Sequence, residues 1–136
     1  MSEEMKIFKE ICDTIDVRIG YADENRISKF FNKAMYASGK RKESDVDKSI
    51  IDCHIEKSKA QIDFIYKAFE GGRREPFVIK RVIGKRKTVV QYFPLFLEGV
   101  FKGVFETITY PEELLEDFPF PGEFDLVKAG QNIGKK

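Results

Sequence analysis

The sequence predicts an α+β domain built on five antiparallel strands and preceded by an amphipathic helix. Three observations carry this prediction: helical spacing of apolar residues near the N-terminus, two short strand-like stretches within residues 17–31, and three longer apolar stretches towards the C-terminus. The length of 136 residues suits one domain. We divide the chain into an N-terminal helix (1–14), the main domain (15–112) and a C-terminal tail (113–136).

The chain begins with a predicted helix followed by a predicted β-hairpin. Residues 2–14 are predicted to be helical, with Ser2 as a favourable N-cap. One face of this helix carries Met5, Phe8, Cys12 and Ile15. Polar and apolar side chains alternate over residues 17–21, and residues 27–31 form a second apolar stretch after a polar turn. These two stretches predict the hairpin.

The central part of the chain is polar at first and then helical. Residues 33–49 are predicted to form short helices and loops. The basic run at residues 40–42 is predicted to be solvated surface, because acidic neighbours balance its charge. A longer helix is predicted within residues 50–69 and ends before Gly71-Gly72. Its apolar face consists of Ile62, Ile65, Tyr66 and Phe69.

An antiparallel meander of three strands is predicted over residues 76–83, 88–97 and 100–110. The two connections between them have lengths that are typical of β-hairpins. Pro94 lies within the second of these strands and removes a backbone hydrogen-bond donor. It therefore predicts an edge position or a β-bulge.

Charge and composition exclude several classes of protein. The net charge of +1 argues against a dedicated nucleic-acid-binding protein. No apolar run approaches the roughly 18 residues of a membrane-spanning helix, and the acidic N-terminus is unlike a secretory signal, so we expect a cytoplasmic protein. Two cysteines and one histidine cannot form a closed zinc site of four such ligands. The 13 Phe and 5 Tyr residues can fill a core, line a pocket or form a partner surface.

These elements, in this order, resemble a PAS domain over about residues 14–112. Residues 21–32 look like the first PAS hairpin. Residues 50–80 are similar to the PAS type that accompanies hemerythrin-like domains in prokaryotic proteins, and residues 89–110 are similar to the last hairpin of that type. The matching steps are Cys53-His54, Lys57-Ser58, Gly71, Tyr92-Phe93, a turn glycine at Gly103, and Phe105-Glu106.

The resemblance implies a sensor domain and not an enzyme. In PAS domains a ligand occupies the space between the central helices and the sheet, so we expect the ligand-binding residues there. The expected set is Cys53, His54, Ile62, Ile65, Tyr66, Phe69, Phe77, Tyr92 and Phe105. We assign no catalytic residue, because adjacent side chains such as Cys53 and His54 point in different directions and rarely act as nucleophile and base.

The resemblance also implies a homodimer. In PAS domains an N-terminal helix and a second subunit often cover the outer face of the sheet. We therefore expect a dimer interface that contains Met5, Phe8, Cys12 and Ile15. A small-molecule ligand and a signalling protein are the other expected partners, whereas nucleic acid and membrane are not.

Three functions stay open. The first is a small-molecule sensor with Phe and Tyr in its pocket, and the second is a ligand-free protein–protein interaction module with a filled core. The third is a haem-binding sensor with His54 as the iron ligand; otherwise we expect no cofactor and no metal. In the tail, Phe118, Phe120 and Phe124 are expected to dock on the domain or on a partner.

Overall fold

The computed structural model describes residues 1–51 and 56–112 and contains the predicted five-stranded antiparallel sheet. The elements are α1 (Glu3–Thr14), β1 (Arg18–Asp23), β2 (Ser28–Phe31), α2 (Lys33–Ala37), α3 (Glu56–Glu70), β3 (Phe77–Ile83), β4 (Arg86–Leu97) and β5 (Val100–Thr109). The strands lie in the order β2-β1-β5-β4-β3, with α3 packed on one face. A single 3-10 turn (Glu43–Asp45) follows α2.

Helix α1 is capped at its start and anchored at its end. The Ser2 hydroxyl accepts a hydrogen bond from the Met5 N–H, which confirms the predicted cap. At the other end, the fully buried Asn32 amide donates to the carbonyls of Cys12 and Val17, at 2.8 Å each. The Asn32 side-chain oxygen also accepts from the Ile19 N–H, so this one side chain joins α1 to β1.

The hairpin turns fix the register of the last three strands. Gly84 has a φ of +64° in the two-residue turn before β4, which therefore begins at Arg86 and not at residue 88 as predicted. Glu98 and Gly99 both have positive φ, as a type I′ turn between β4 and β5 requires. Both predicted hairpins, β3–β4 and β4–β5, are confirmed.

Pro94 lies at the predicted kind of position. Strand β3 pairs with β4 only as far as Tyr92, so the edge of β4 at Pro94 has no neighbour on that side within the named strands. The register with β5 then shifts between Leu95 and Phe96. The missing donor therefore interrupts no pairing with β3, which agrees with the predicted edge position, whereas the register shift lies beyond Pro94 and its extra residue is Lys102 on β5.

Gly103 lies inside β5 and not at the turn, where the resemblance placed it. Its pairing partners are Leu95 on β4 and Asp23 on β1, so it sits between two strands. Its φ is +129°, and a Cβ atom added there would lie 2.2 Å from the carbonyl oxygen of Ala22. Glycine is therefore required by both backbone conformation and space.

The hydrophobic core lies between α3 and one face of the sheet, which we call the core face. The strands contribute buried side chains to this face at alternate positions: Ala22, Val90, Tyr92, Val104 and Ile108. Phe69 on α3 is 0% exposed, and its burial contributes about 2–3 kcal/mol to folding. Among the described residues, none of the helices combines the length and the apolar character needed to cross a bilayer.

Candidate functional site

The residues expected to bind a ligand from α3 form a filled core. Ile62, Ile65, Tyr66 and Phe69 are all at most 2% exposed. The Phe69 ring packs against Phe77 with ring centroids 5.4 Å apart. The Tyr66 hydroxyl donates to the carbonyl of Asp23 at 3.0 Å, so its polar atom is also satisfied within the domain. This part of the helix–sheet boundary is occupied by the protein's own side chains.

Phe105 lies on the opposite face of the sheet from the other expected ligand residues. Its neighbours Val104 and Glu106 point to the core face, so Phe105 points away from it. There the ring stacks on its cross-strand partner Phe93, at 4.9 Å between centroids. Phe105 therefore does not face the same space as Tyr92, and its expected place in the pocket is corrected.

A cavity of about 190 Å³ does lie on the core face, beside the filled core. It is bounded by β3, β4 and β5, by the segment that follows α2, and by the start of α3. Within the described part of the chain, seven polar or charged residues line it: Lys40, Arg41, Ser58, Arg81, Thr88, Tyr92 and Glu106. Ile83, Val90 and Ile108 add an apolar part to the lining. Of the expected ligand residues that the structure describes, Tyr92 alone is among those that line this cavity.

Glu106 is the central acidic group of the cavity. Tyr92 is its cross-strand partner on β4, with the hydroxyl beside the carboxylate, and Arg41 lies 3.8 Å away. The side chains of Arg41 and Glu106 are only 14% and 7% exposed. Burial raises the pKa of Glu106 above its ordinary range, while Arg41 partly opposes this change. Burial likewise raises the pKa of Tyr92, so its hydroxyl stays a donor at neutral pH.

The cavity contains more positive than negative charge. The Arg81 guanidinium donates to the side-chain oxygen of Gln61 at 2.6 Å, which is a neutral partner. The Arg41 guanidinium also donates to the Lys40 carbonyl at 2.7 Å, which holds Arg41 over the cavity. Lys40, Arg41 and Arg81 together outnumber Glu106, and this makes the site suited to a negatively charged group.

Sequence reasoning missed most of these residues. It predicted the basic run at residues 40–42 to be solvated surface, but the Arg41 side chain is nearly buried. The available signal was Glu106, which lies between Val104 and Ile108 on the same inward face of a strand. A carboxylate at an inward position requires a cationic or hydrogen-bonding partner, and that requirement predicts a basic residue facing it.

Cys53 and His54 lie outside the described residues. The expectation that they contact a ligand therefore stays a prediction, as does haem ligation by His54. The tail residues Phe118, Phe120 and Phe124 also lie outside the described residues, so their expected docking stays a prediction as well.

The N-terminal helix presents its apolar side chains to solvent. Met5 is 60% and Phe8 is 70% exposed, and Ile15 is also exposed. Cys12 is half-buried, and its backbone carbonyl accepts a hydrogen bond from the Asn32 amide. Ile7 and Ile11 widen the exposed apolar face beyond the four residues expected at an interface.

The fold defines the class of the protein. An antiparallel sheet in the order β2-β1-β5-β4-β3, with the helical connection across one face, is the arrangement expected of a PAS domain. The sequence profile of the PAS domain family matches residues 8–109. The chain therefore belongs to the PAS domain family. No curated protein matches its sequence.

Solved structures show the same fold at low sequence identity. The C-terminal domain of a protein from Streptococcus mutans has a TM-score of 0.73 and 19% identity, covering 82% of this chain and 88% of that chain. The PAS domain of Bordetella pertussis BvgS has a TM-score of 0.59 and 12% identity, with 98% and 96% covered. A sensory box sensor histidine kinase from Vibrio cholerae has a TM-score of 0.56 and 10% identity, with 79% and 91% covered.

Proposed function

We propose that this PAS domain is a non-catalytic sensor that binds a small molecule in the cavity on the core face. The observation that carries the proposal is the cavity itself, about 190 Å³ beside a core that is otherwise filled. A concave site with apolar walls and a few convergent polar and charged side chains is the usual form of a small-molecule binding site, which favours a binding role. The structural likeness to a sensor histidine kinase supports a role in signalling.

The proposed sensor is a homodimer formed through α1. Isolated exposed apolar residues need no explanation, but α1 exposes Met5, Ile7, Phe8 and Ile11 together on one short helix. The outer face of the sheet carries a second apolar area that includes the Phe93–Phe105 stack. A second copy of the chain offers both surfaces, so a symmetric dimer can cover both of them.

Native mass spectrometry of the purified protein tests both parts of this proposal. We expect a mass of two chains and additional mass from a bound small molecule. Substitution Phe8→Glu should give monomers, because a buried Phe contributes about 2 kcal/mol. Two copies in a symmetric interface contribute roughly 4 kcal/mol, or about a thousandfold in the dissociation constant.

Phe64→Glu is the matched control for the dimer. Phe64 is 66% exposed on α3, close to the 70% of Phe8, but it lies on a different surface. The control should leave the subunit count unchanged. A monomeric parent protein, or equal loss of the dimer in both variants, would contradict the proposed interface.

A ligand-free protein–protein interaction module is the second candidate function. The filled core around Ile62, Ile65 and Phe69 favours it, because the aromatic part of the helix–sheet boundary leaves no space for a ligand. This candidate predicts the mass of the chains alone in native mass spectrometry and no thermal stabilisation by small molecules. Bound ligand in the parent protein would exclude it.

A further inference from the structure

The cavity on the core face has an uneven charge balance. Among the described residues of the lining, Lys40, Arg41 and Arg81 contribute three positive charges and Glu106 one negative charge, a balance of +2. Like charges brought together in partly buried surroundings repel one another more strongly than in water. A bound anion would offset this repulsion, and a neutral or cationic ligand would not.

The cations are not all engaged by carboxylates of the protein. Arg41 faces Glu106 at 3.8 Å, whereas Arg81 donates to the neutral amide of Gln61. Among the side chains that the structure describes, in residues 1–51 and 58–112, no carboxylate lies within ion-pair distance of Lys40 or Arg81. Two cations beside the Arg41–Glu106 pair therefore remain to bind a negatively charged group.

The other residues of the lining indicate the size of the anion and the kind of group attached to its charged part. Ile83, Val90 and Ile108 give the cavity an apolar side, which would contact a short hydrocarbon chain. The volume of about 190 Å³ is below the range of drug-sized ligands. A guanidinium pairs with a carboxylate through two parallel hydrogen bonds, and Ser58 adds a hydroxyl group to the lining.

We propose that this cavity binds a small aliphatic carboxylate, with Arg81 and Lys40 as its charge partners. The proposal rests on the proposed sensor function and names the chemical class of its ligand. The apolar side of the cavity favours a carboxylate over inorganic phosphate, which has no hydrocarbon part. Two available cations favour an acid with two carboxylates over an acid with one.

Isothermal titration calorimetry with succinate, butyrate and inorganic phosphate tests the proposal. We expect saturable binding of succinate, weaker binding of butyrate and no saturable binding of phosphate. Arg81→Gln and Lys40→Gln should each weaken succinate binding by about tenfold or more, because each removes a charge-assisted contact. Lys85→Gln, in the exposed turn before β4, should bind succinate like the parent protein.

Failure of the ligand class can be distinguished from failure of the sensor function. Absence of saturable carboxylate binding overturns the proposal, and so does equal weakening in Lys85→Gln, which would indicate nonspecific charge attraction. Phosphate binding as tight as succinate binding also overturns it. If native mass spectrometry then shows another bound molecule, the sensor function stands with a different ligand; if it shows none, the sensor function is wrong too.

Discussion

Replacing Gly103 with alanine tests the arrangement of the central strands β1, β5 and β4. The added Cβ atom would lie 2.2 Å from the carbonyl oxygen of Ala22 and 2.8 Å from the Cα of Asp23. Both atoms belong to the backbone of β1, which is held between β2 and β5. Backbone in a paired strand cannot move aside as a flexible side chain can, so the sheet itself must distort.

The expected loss of stability has two sources. Forcing an atom into filled space costs about 1–3 kcal/mol, and a backbone conformation that L residues rarely adopt costs about 1–3 kcal/mol. We therefore expect Gly103→Ala to lower the free energy of unfolding by about 4 kcal/mol. For a chain of this size the melting temperature should fall by roughly 16 °C.

Gly99→Ala separates the two sources. Gly99 also has a positive φ of +80°, but a Cβ atom there would meet nothing within 4 Å. Both substitutions reduce the entropy of the unfolded chain equally, so this effect cancels in the comparison. Urea unfolding should show Gly103→Ala at least about 2 kcal/mol less stable than Gly99→Ala. Equal stability of the two variants would refute the close approach of β1 and β5 at Gly103.

Two further predictions concern buried polar groups. Asn32→Ala should lower the free energy of unfolding by about 3 kcal/mol and speed proteolysis within α1. The reason is that the substitution leaves buried backbone groups without hydrogen-bond partners. The control Asn25→Ala, at an exposed position, should have neither effect. Glu106→Gln should change how stability depends on pH. Because the pKa of Glu106 is raised by burial in the folded protein, its contribution is complete below about pH 4.5 and is lost as pH rises through the raised value. The difference in unfolding free energy between Glu106→Gln and the parent should therefore grow in favour of the variant from about pH 4.5 upwards, and urea midpoints that converge over this range would contradict the assignment.

The strands were predictable because they are runs of β-branched and aromatic residues bounded by turn residues. Residues 100–110 form such a run after Glu98-Gly99, so the last hairpin follows from local patterns. The facing of aromatic residues was less predictable. Phe101 and Val104 both lie on the core face, although residues three positions apart in a regular strand lie on opposite faces. The reason is a β-bulge: Lys102 has no residue opposite it on β4, where the β4–β5 register shifts.

The charged cavity could not be predicted from local sequence. Charge balance within residues 40–47 predicted a solvated surface, but that balance takes no account of residues that are distant in the chain. Folding brings Arg41 close to Glu106 on β5, and local sequence patterns contain no information about this contact. Inward-facing charged residues on strands are therefore a better guide to such a site than runs of charge, since each one requires a partner from elsewhere.

The proposed ligand site and the proposed dimer surface are joined through one short segment of the chain. Asn32 holds the end of α1, its side chain also caps α2, and α2 leads directly to Arg41 at the cavity. Met35 within α2 is fully buried, so this segment is packed into the domain and cannot move independently of it. A ligand that changes the position of Arg41 thus acts on the same packed segment that positions α1. Because coupling between two sites is reciprocal, a ligand that strengthens or weakens the proposed dimer through this segment is itself bound more or less tightly by the dimer, by the same factor.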